Sequence, residues 1–240
     1  MDLKPMRCES CAIRNRAVCG VLSESEITKM NAISRPKFVA AGQTIMADHE
    51  PTEFFANIIN GVIKLTKMLS DGRQQIVGLL FAPDFVGRAY SAESKYFAEA
   101  ASDVELCTFP RYEFEKLMAA HPGLEHRMFE KTLDELDACR EWMLLLGRKS
   151  AEEKVSSFLL MIAERTQNIG CAHSDEVNFV QFDLPLTRAD IADYLGLTIE
   201  TVSRQITRLK TRGIITMKGN REIAIPDVNL LRQVADQELF

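Results

Sequence analysis

The sharpest pattern of apolar and polar positions lies at residues 198–212. Ile199, Val202, Ile206 and Leu209 recur at steps of three and four, which places them on one stripe of a helix. Thr198 can cap the first turn through its hydroxyl, and Gly213 suits a left-handed C-terminal cap. Glu200, Ser203, Arg204 and Thr207 fall on the opposite side. Just upstream, residues 187–195 predict a shorter helix headed by Thr187. Ala192 is small where the two helices must approach, Gly196 turns the chain, and Leu197 points inward. After Gly213, the runs 214–218 and 221–225 flank Gly219-Asn220 and predict a hairpin. Two capped helices, a tight turn and a hairpin make a winged helix-turn-helix unit.

Earlier in the chain the period changes. Ser23 with Glu26 three residues on is a capping box and predicts a short helix to Ile33. From Phe38 the chain becomes short extended runs cut at Gly42, Glu50-Pro51, Asn60-Gly61, Asp71-Gly72 and Gly78, the pattern of a roll or barrel. Residues 122–147 then predict a long helix, with Pro122 in its first turn and Gly147 breaking it. Phe129, Thr132, Leu136, Cys139, Met143 and Leu146 follow a coiled-coil spacing along it. Leu133 and Leu144 lie off that seam and could pack on the roll instead. A further amphipathic helix runs to about Arg165, and residues 166–183 read as a polar connection.

The predicted organisation is α+β. It comprises a cysteine-rich loop at 1–20, a β-roll at 21–121, a dimerisation helix at 122–147, the winged domain at 148–225 and a tail at 226–240.

Composition narrows the class. The chain has 240 residues, 46% hydrophobic and 26% charged, enough to bury a real core. No apolar run reaches the length of a membrane span, and the N-terminal residues lack a signal-peptide core, so the reading is cytoplasmic and without membrane contact. The net charge is −5. Yet residues 186–222 carry seven Arg/Lys against four Asp/Glu, which suits a surface facing phosphate. Arginine can bond guanine O6 and N7 as a pair, and glutamate can accept from cytosine N4. Glu200, Ser203 and Arg204 are therefore candidates for reading bases. Thr187 and Thr198 stand at the two helix N-termini, and Lys210 and Arg212 are candidates for phosphate. No Ser/His/Asp arrangement, phosphate loop or carboxylate pair suggests an enzyme.

Six cysteines in such a chain point to metal ligands or buried thiols before disulfides. Cys8, Cys11 and Cys19 fall close together as C-x2-C-x7-C. Three thiolates are one short of a cluster held by four cysteines. Cys107, Cys139 or Cys171 could complete the set. Cys107 is favoured by its strand, where Val104 and Leu106 take one face and Glu105 and Cys107 the other, open to a folded-back loop. Zinc, free thiols or a thiol switch remain alternatives. Cys139 reads as a buried seam residue. Cys171 and its neighbour His173 read as incidental.

Glu200-Thr-Val-Ser-Arg204 resembles the recognition helix of the Crp/Fnr regulators, and the three N-terminal cysteines with Cys107 resemble the ligand set of the Fnr branch, in its FnrN- and FixK-like form. The resemblance spans nearly the whole chain. It implies a cyclic-nucleotide-binding-like β-roll, a homodimer and a [4Fe-4S] cluster on Cys8, Cys11, Cys19 and Cys107. It also implies an oxygen-responsive activator of anaerobic or microaerobic genes, with a nitrogen-fixation role among those open to it. The DNA site it implies is an inverted repeat like TTGAT-N4-ATCAA, with Arg204 on guanine, Glu200 on the cytosine side and Ser203 on thymine. RNA polymerase is the implied partner, with the tip Ser70–Arg73 as its candidate contact. Phe85-Val-Gly-Arg-Ala-Tyr-Ser91 departs from the family's nucleotide-binding pattern, lacking Gly-Glu before an Arg-Ser pair. Arg88 and Ser91 thus read as structural, and a small-molecule effector is the alternative.

Overall fold

The computed structural model describes residues 8–168 and 178–236. The chain divides into two compact units, residues 1–138 and 139–240. Among the described residues no helix is long and apolar enough to cross a membrane.

The first unit opens with residues 8–22, folded as successive tight turns. Cys11 N–H donates to the Cys8 carbonyl, Ala17 to Ile13, Gly20 to Ala17 and Leu22 to Cys19. Ile13, Ala17, Val18 and Leu22 are buried and pin this segment down. Helix α1 (Glu24–Ile33) follows with the predicted capping box of Ser23 and Glu26 in place. Eight strands come next: β1 (Arg35–Val39), β2 (Thr44–Met46), β3 (Phe54–Asn60), β4 (Val62–Met68), β5 (Gln74–Phe81), β6 (Phe85–Val86), β7 (Phe97–Ala100) and β8 (Val104–Pro110). They form two antiparallel four-stranded sheets, ordered β1-β8-β3-β6 and β2-β7-β4-β5. Gly61 has φ 91°, and a Cβ there would collide with the Asp103 carbonyl, so the predicted Asn-Gly turn tolerates no other residue without strain.

Helix α2 (Arg111–Ala120) has no counterpart in the sequence reading. Its Phe114 stacks within 5.3–5.5 Å of Phe55, Phe85 and Phe109, closing an aromatic cluster over one face of the first sheet. Helix α3 (Pro122–Arg148) starts at the predicted proline and ends one residue after Gly147, where the break was predicted.

The second unit contains the end of α3, then α4 (Ala151–Asn168), β9 (Val180–Asp183), α5 (Arg188–Leu195), α6 (Ile199–Thr211), β10 (Thr216–Lys218), β11 (Glu222–Ile225) and α7 (Val228–Ala235). The wing is a three-stranded sheet, β10-β11-β9, so part of the stretch read as a polar connection is a strand. The segment read as a tail is likewise corrected. Asp227 caps α7, which buries Val228, Leu231, Val234 and Ala235. Its apolar positions recur at helical spacing, a signal that the reading passed over.

Candidate DNA-reading surface and cysteine site

The helix-turn-helix is built by local rules. Thr187 accepts the Asp190 N–H at 3.1 Å while Asp190 accepts the Thr187 N–H at 3.0 Å, a reciprocal cap for α5. Gly196 sits at φ 62°, ψ 42°, the left-handed region a glycine enters without penalty. The turn closes with Leu197 N–H on the Ala192 carbonyl at 3.0 Å. Thr198 caps α6 by accepting the Thr201 N–H at 3.2 Å.

Val202, Ile206 and Leu209 are buried as predicted, together with Gln205. Ile199 is the exception. It is 48% exposed, because the first turn of α6 projects beyond the stripe that packs. Glu200, Ser203, Arg204 and Thr207 are all exposed along one side of the helix. Arg204 Nη2 donates to Thr201 Oγ1 at 3.3 Å, which steadies the guanidinium over the first turn. The backbone N–H of Glu200 and then the Thr198 hydroxyl hold the Glu200 carboxyl below the usual carboxylate range. It therefore stays an acceptor at neutral pH, as pairing to an amino group requires.

The basic residues are not equivalent. Lys210 is exposed. Arg212 is engaged by Glu152 at 2.5 Å, and Arg208 meets the other oxygen of that carboxylate at 3.3 Å. Glu152, on α4, was not a candidate in the sequence. Arg188 is half-buried beneath the wing, where Nη2 contacts Met217 Sδ at 3.6 Å and Nη1 has no hydrogen-bond partner.

The cysteine site belongs to the first unit. Cys8, Cys19 and Cys107 are buried and Cys11 is half-buried. Cys8 is anchored by its N–H on Asn31 Oδ1 at 3.2 Å. Cys107 lies on β8 between Pro36 of β1 and Asn57 of β3. Burial first, and then the fields of the other thiolates, push the Cys107 thiol up to about 12 and Cys19 to about 11. Arg14 opposes this weakly at Cys8 and Cys19. The four thiols thus share one environment. Among the described residues, however, no group of three or more Cys, His, Asp or Glu is arranged to hold a metal ion. Burial, with the neighbouring thiolates adding to it, disfavours ionisation at Cys8, Cys19 and Cys107. A depression of about 200 Å³ lined by Cys8, Glu9, Ile27, Thr28 and Asn31 opens this side to solvent.

Cys139, a seam residue in the sequence reading, is exposed on α3 of the single chain. Cys171 and His173 lie outside the described residues. Along α3, Phe129, Leu136 and Met143 are 59%, 45% and 68% exposed, and Thr132 is exposed beside them. Leu133 and Leu144 are also exposed, at 45% and 54%, and widen the apolar face of the helix. Leu146 is half-buried, within reach of the Gly196 turn. In the segment 85–91, Ser91 Oγ donates to the Glu93 carbonyl, and Tyr90 holds φ 60° with its N–H on Glu115.

Comparison with known proteins places both units. The cyclic nucleotide-binding domain family matches residues 36–121, and the Crp-like helix-turn-helix domain family matches 153–234. A probable transcriptional activator of Rhizobium leguminosarum bv. viciae is 47% identical over 96% of this chain and 93% of its own length. The transcriptional activator protein FnrL of Cereibacter sphaeroides is 44% identical over 96% of this chain and 92% of its own. The solved structure of FixK2 from Bradyrhizobium japonicum superposes with a TM-score of 0.74 at 31% identity, covering 84% of this chain and 97% of that one. The chain belongs to the Crp/Fnr family and is a DNA-binding transcriptional activator of the Fnr/FixK type.

Proposed function

We propose that this activator responds to oxygen through a [4Fe-4S] cluster held by Cys8, Cys11, Cys19 and Cys107. One observation carries the reading: the N-terminal turns and strand β8 bring four thiols together, with Cys8, Cys19 and Cys107 buried and Cys11 half-buried. Unliganded they rest as neutral thiols, and a cationic iron centre would hold them as thiolates. Four cysteines drawn from the N-terminal turns and β8 match the all-cysteine ligand set that such a cluster takes. When bound, the cluster supplies an oxygen-labile centre.

The chain's own residues supply the rest. The turns at 8–22 pack Ile13, Ala17 and Val18 inward and lead directly into the α1 cap at Ser23. Tethering Cys8, Cys11 and Cys19 to Cys107 ties that segment to the first sheet. For DNA binding to respond, the tethered form must favour the dimer by a differential free energy. The exposed apolar face of α3 at Phe129, Leu133, Leu136 and Met143 is the surface for a second copy. In the dimer two copies of α6 read an inverted repeat like TTGAT-N4-ATCAA from successive major grooves, with Arg204 on guanine, Glu200 on the cytosine side and Ser203 on thymine. The β4–β5 tip at Ser70–Arg73 is the candidate contact with RNA polymerase in the cytoplasm.

Anaerobic purification with an absorption spectrum and an iron and sulfide assay tests this reading. Four iron and four sulfide per chain, lost in air together with DNA binding, are expected of a [4Fe-4S] protein. A zinc-only chain that binds DNA equally in air overturns it.

A further inference from the structure

Strand β3 reads Phe-Phe-Ala-Asn-Ile-Ile-Asn, and a single amide, Asn57, interrupts its apolar centre. Asn57 is 1% exposed. Among the described residues its buried Oδ1 has no hydrogen-bond partner. In native interiors such groups are few and each calls for an explanation. An apolar side chain of the same branching, such as leucine, would suit this strand better where space allows, because removing an unsatisfied buried amide removes a desolvation cost.

The register shows what the amide faces. Asn57 lies directly opposite Cys107 of β8 on one side and Phe85 of β6 on the other. Directly opposed residues on antiparallel strands share a face. On that face Phe85 belongs to the aromatic cluster with Phe55 and Phe114, which offers no strong hydrogen-bonding group. Cys107, whose thiol lies among those of Cys8, Cys11 and Cys19, is the polar neighbour. The amide can present either its oxygen or its two N–H donors by rotation about its last bond.

We propose that Asn57 is a positioning residue for the cluster: its side-chain amide donates a hydrogen bond to the Cys107 sulfur when that sulfur is an iron-bound thiolate. This rests on the cluster reading given above. The amide is left with no use in the thiol form and finds one in the thiolate form. Hydrogen bonds to ligand sulfur raise a cluster's reduction potential and help retain the ligand. Asn57 would therefore set how readily Cys107, the one ligand outside the N-terminal turns, lets go.

The experiment uses the full chain with Asn57→Leu, and Asn57→Ala in case leucine overpacks. Thermal melting of the iron-free proteins, iron and sulfide after anaerobic reconstitution, reduction potential, and iron–sulfur stretching frequencies in H2O and D2O are compared with wild type. The expected result is iron-free Asn57→Leu at least as heat-stable as wild type. Its loaded form should have a lower potential, no deuterium shift of the Cys107 mode, and cluster retention reduced on the order of 10-fold, as for other outer ligand-supporting groups. A loaded wild type matched by both variants in potential, deuterium shift and retention overturns the role of Asn57 alone. Lower heat stability in iron-free Asn57→Leu and Asn57→Ala, with the spectra unchanged, makes Asn57 structural. A wild-type chain that takes up no iron overturns the cluster reading and this proposal together.

Discussion

The recognition helix and the cysteine site differ in where their information sits and in what state they wait. Helix α6 is complete by itself: a cap at Thr198, a buried stripe and an exposed reading face all lie within thirteen helical residues and their flanks. Its polar groups are exposed to water and lose little while no DNA is present. The cysteine site joins a turn-rich N-terminal segment to a strand far along the chain, and its groups are buried. Cys19 and Cys107 are buried where ionisation is disfavoured, and the buried Asn57 oxygen lacks a hydrogen-bond partner among the described residues. A surface that waits in solvent makes an effector arm. A buried site assembled from distant parts of the chain acts only through the fold that assembles it.

The contrast breaks most completely at Cys107. Cys107→Ser should abolish the cluster and with it anaerobic DNA binding, whereas Cys139→Ser and Cys171→Ser should keep the cluster. Iron and sulfide per chain after anaerobic reconstitution check this, with DNA binding measured before and after air. Full loading of Cys107→Ser would mean that the fourth ligand lies elsewhere. Next in size is Met143→Glu. Met143 is 68% exposed on the apolar face of α3, and two carboxylates brought together there would be uncompensated. Sedimentation should show monomers with the β-roll still folded and the cluster still present. Unchanged dimerisation would place the interface on another surface.

Arg204→Ala tests the other side of the comparison. The guanidinium is exposed and rests on Thr201, so its removal should leave the fold unchanged. It should cost about 1–3 kcal/mol on the intact site and relax the preference at one G·C pair. An equal loss on a site altered at that pair would remove the assigned role.

The same difference explains what the sequence made legible. The caps at Ser23, Thr187 and Thr198, the Gly196 turn and the wing hairpin are short-range signals, and each appears where its residues predicted. Helix α7 and strand β9 were missed although their signals are also local, because a polar stretch and a chain end invite a loop reading. Gly147 marks the end of α3 to within one residue, Arg148 being the last helical position. The neighbours of Cys107 were beyond reach for another reason. Strand alternation could give its face, but only the register between β3 and β8 puts Asn57 beside it. The pairing of Arg212 with Glu152 is likewise a contact between separate helices, and no periodicity within α6 reveals it.

That pairing carries the smallest prediction. By sequence Lys210 and Arg212 are interchangeable phosphate ligands. In the structure the Arg212 charge is met by a Glu152 carboxylate that is only 13% exposed and also meets Arg208. A cation already neutralised by its own chain gathers fewer DNA phosphates and releases fewer counterions. Each phosphate neutralised contributes about 0.9 to the slope of log Kobs against log salt. Lys210→Ala removes one cation from each copy in the dimer and should therefore lower the slope by roughly 2 on any sequence. Arg212→Ala should leave the slope nearly unchanged and act by loosening α6 from α4. Titrations of one duplex at several salt concentrations, with both variants beside wild type, separate the two. An equal fall in slope for both would mean that Glu152 releases Arg212 to the DNA, so that this part of the reading surface, like the cysteine site, changes with occupancy.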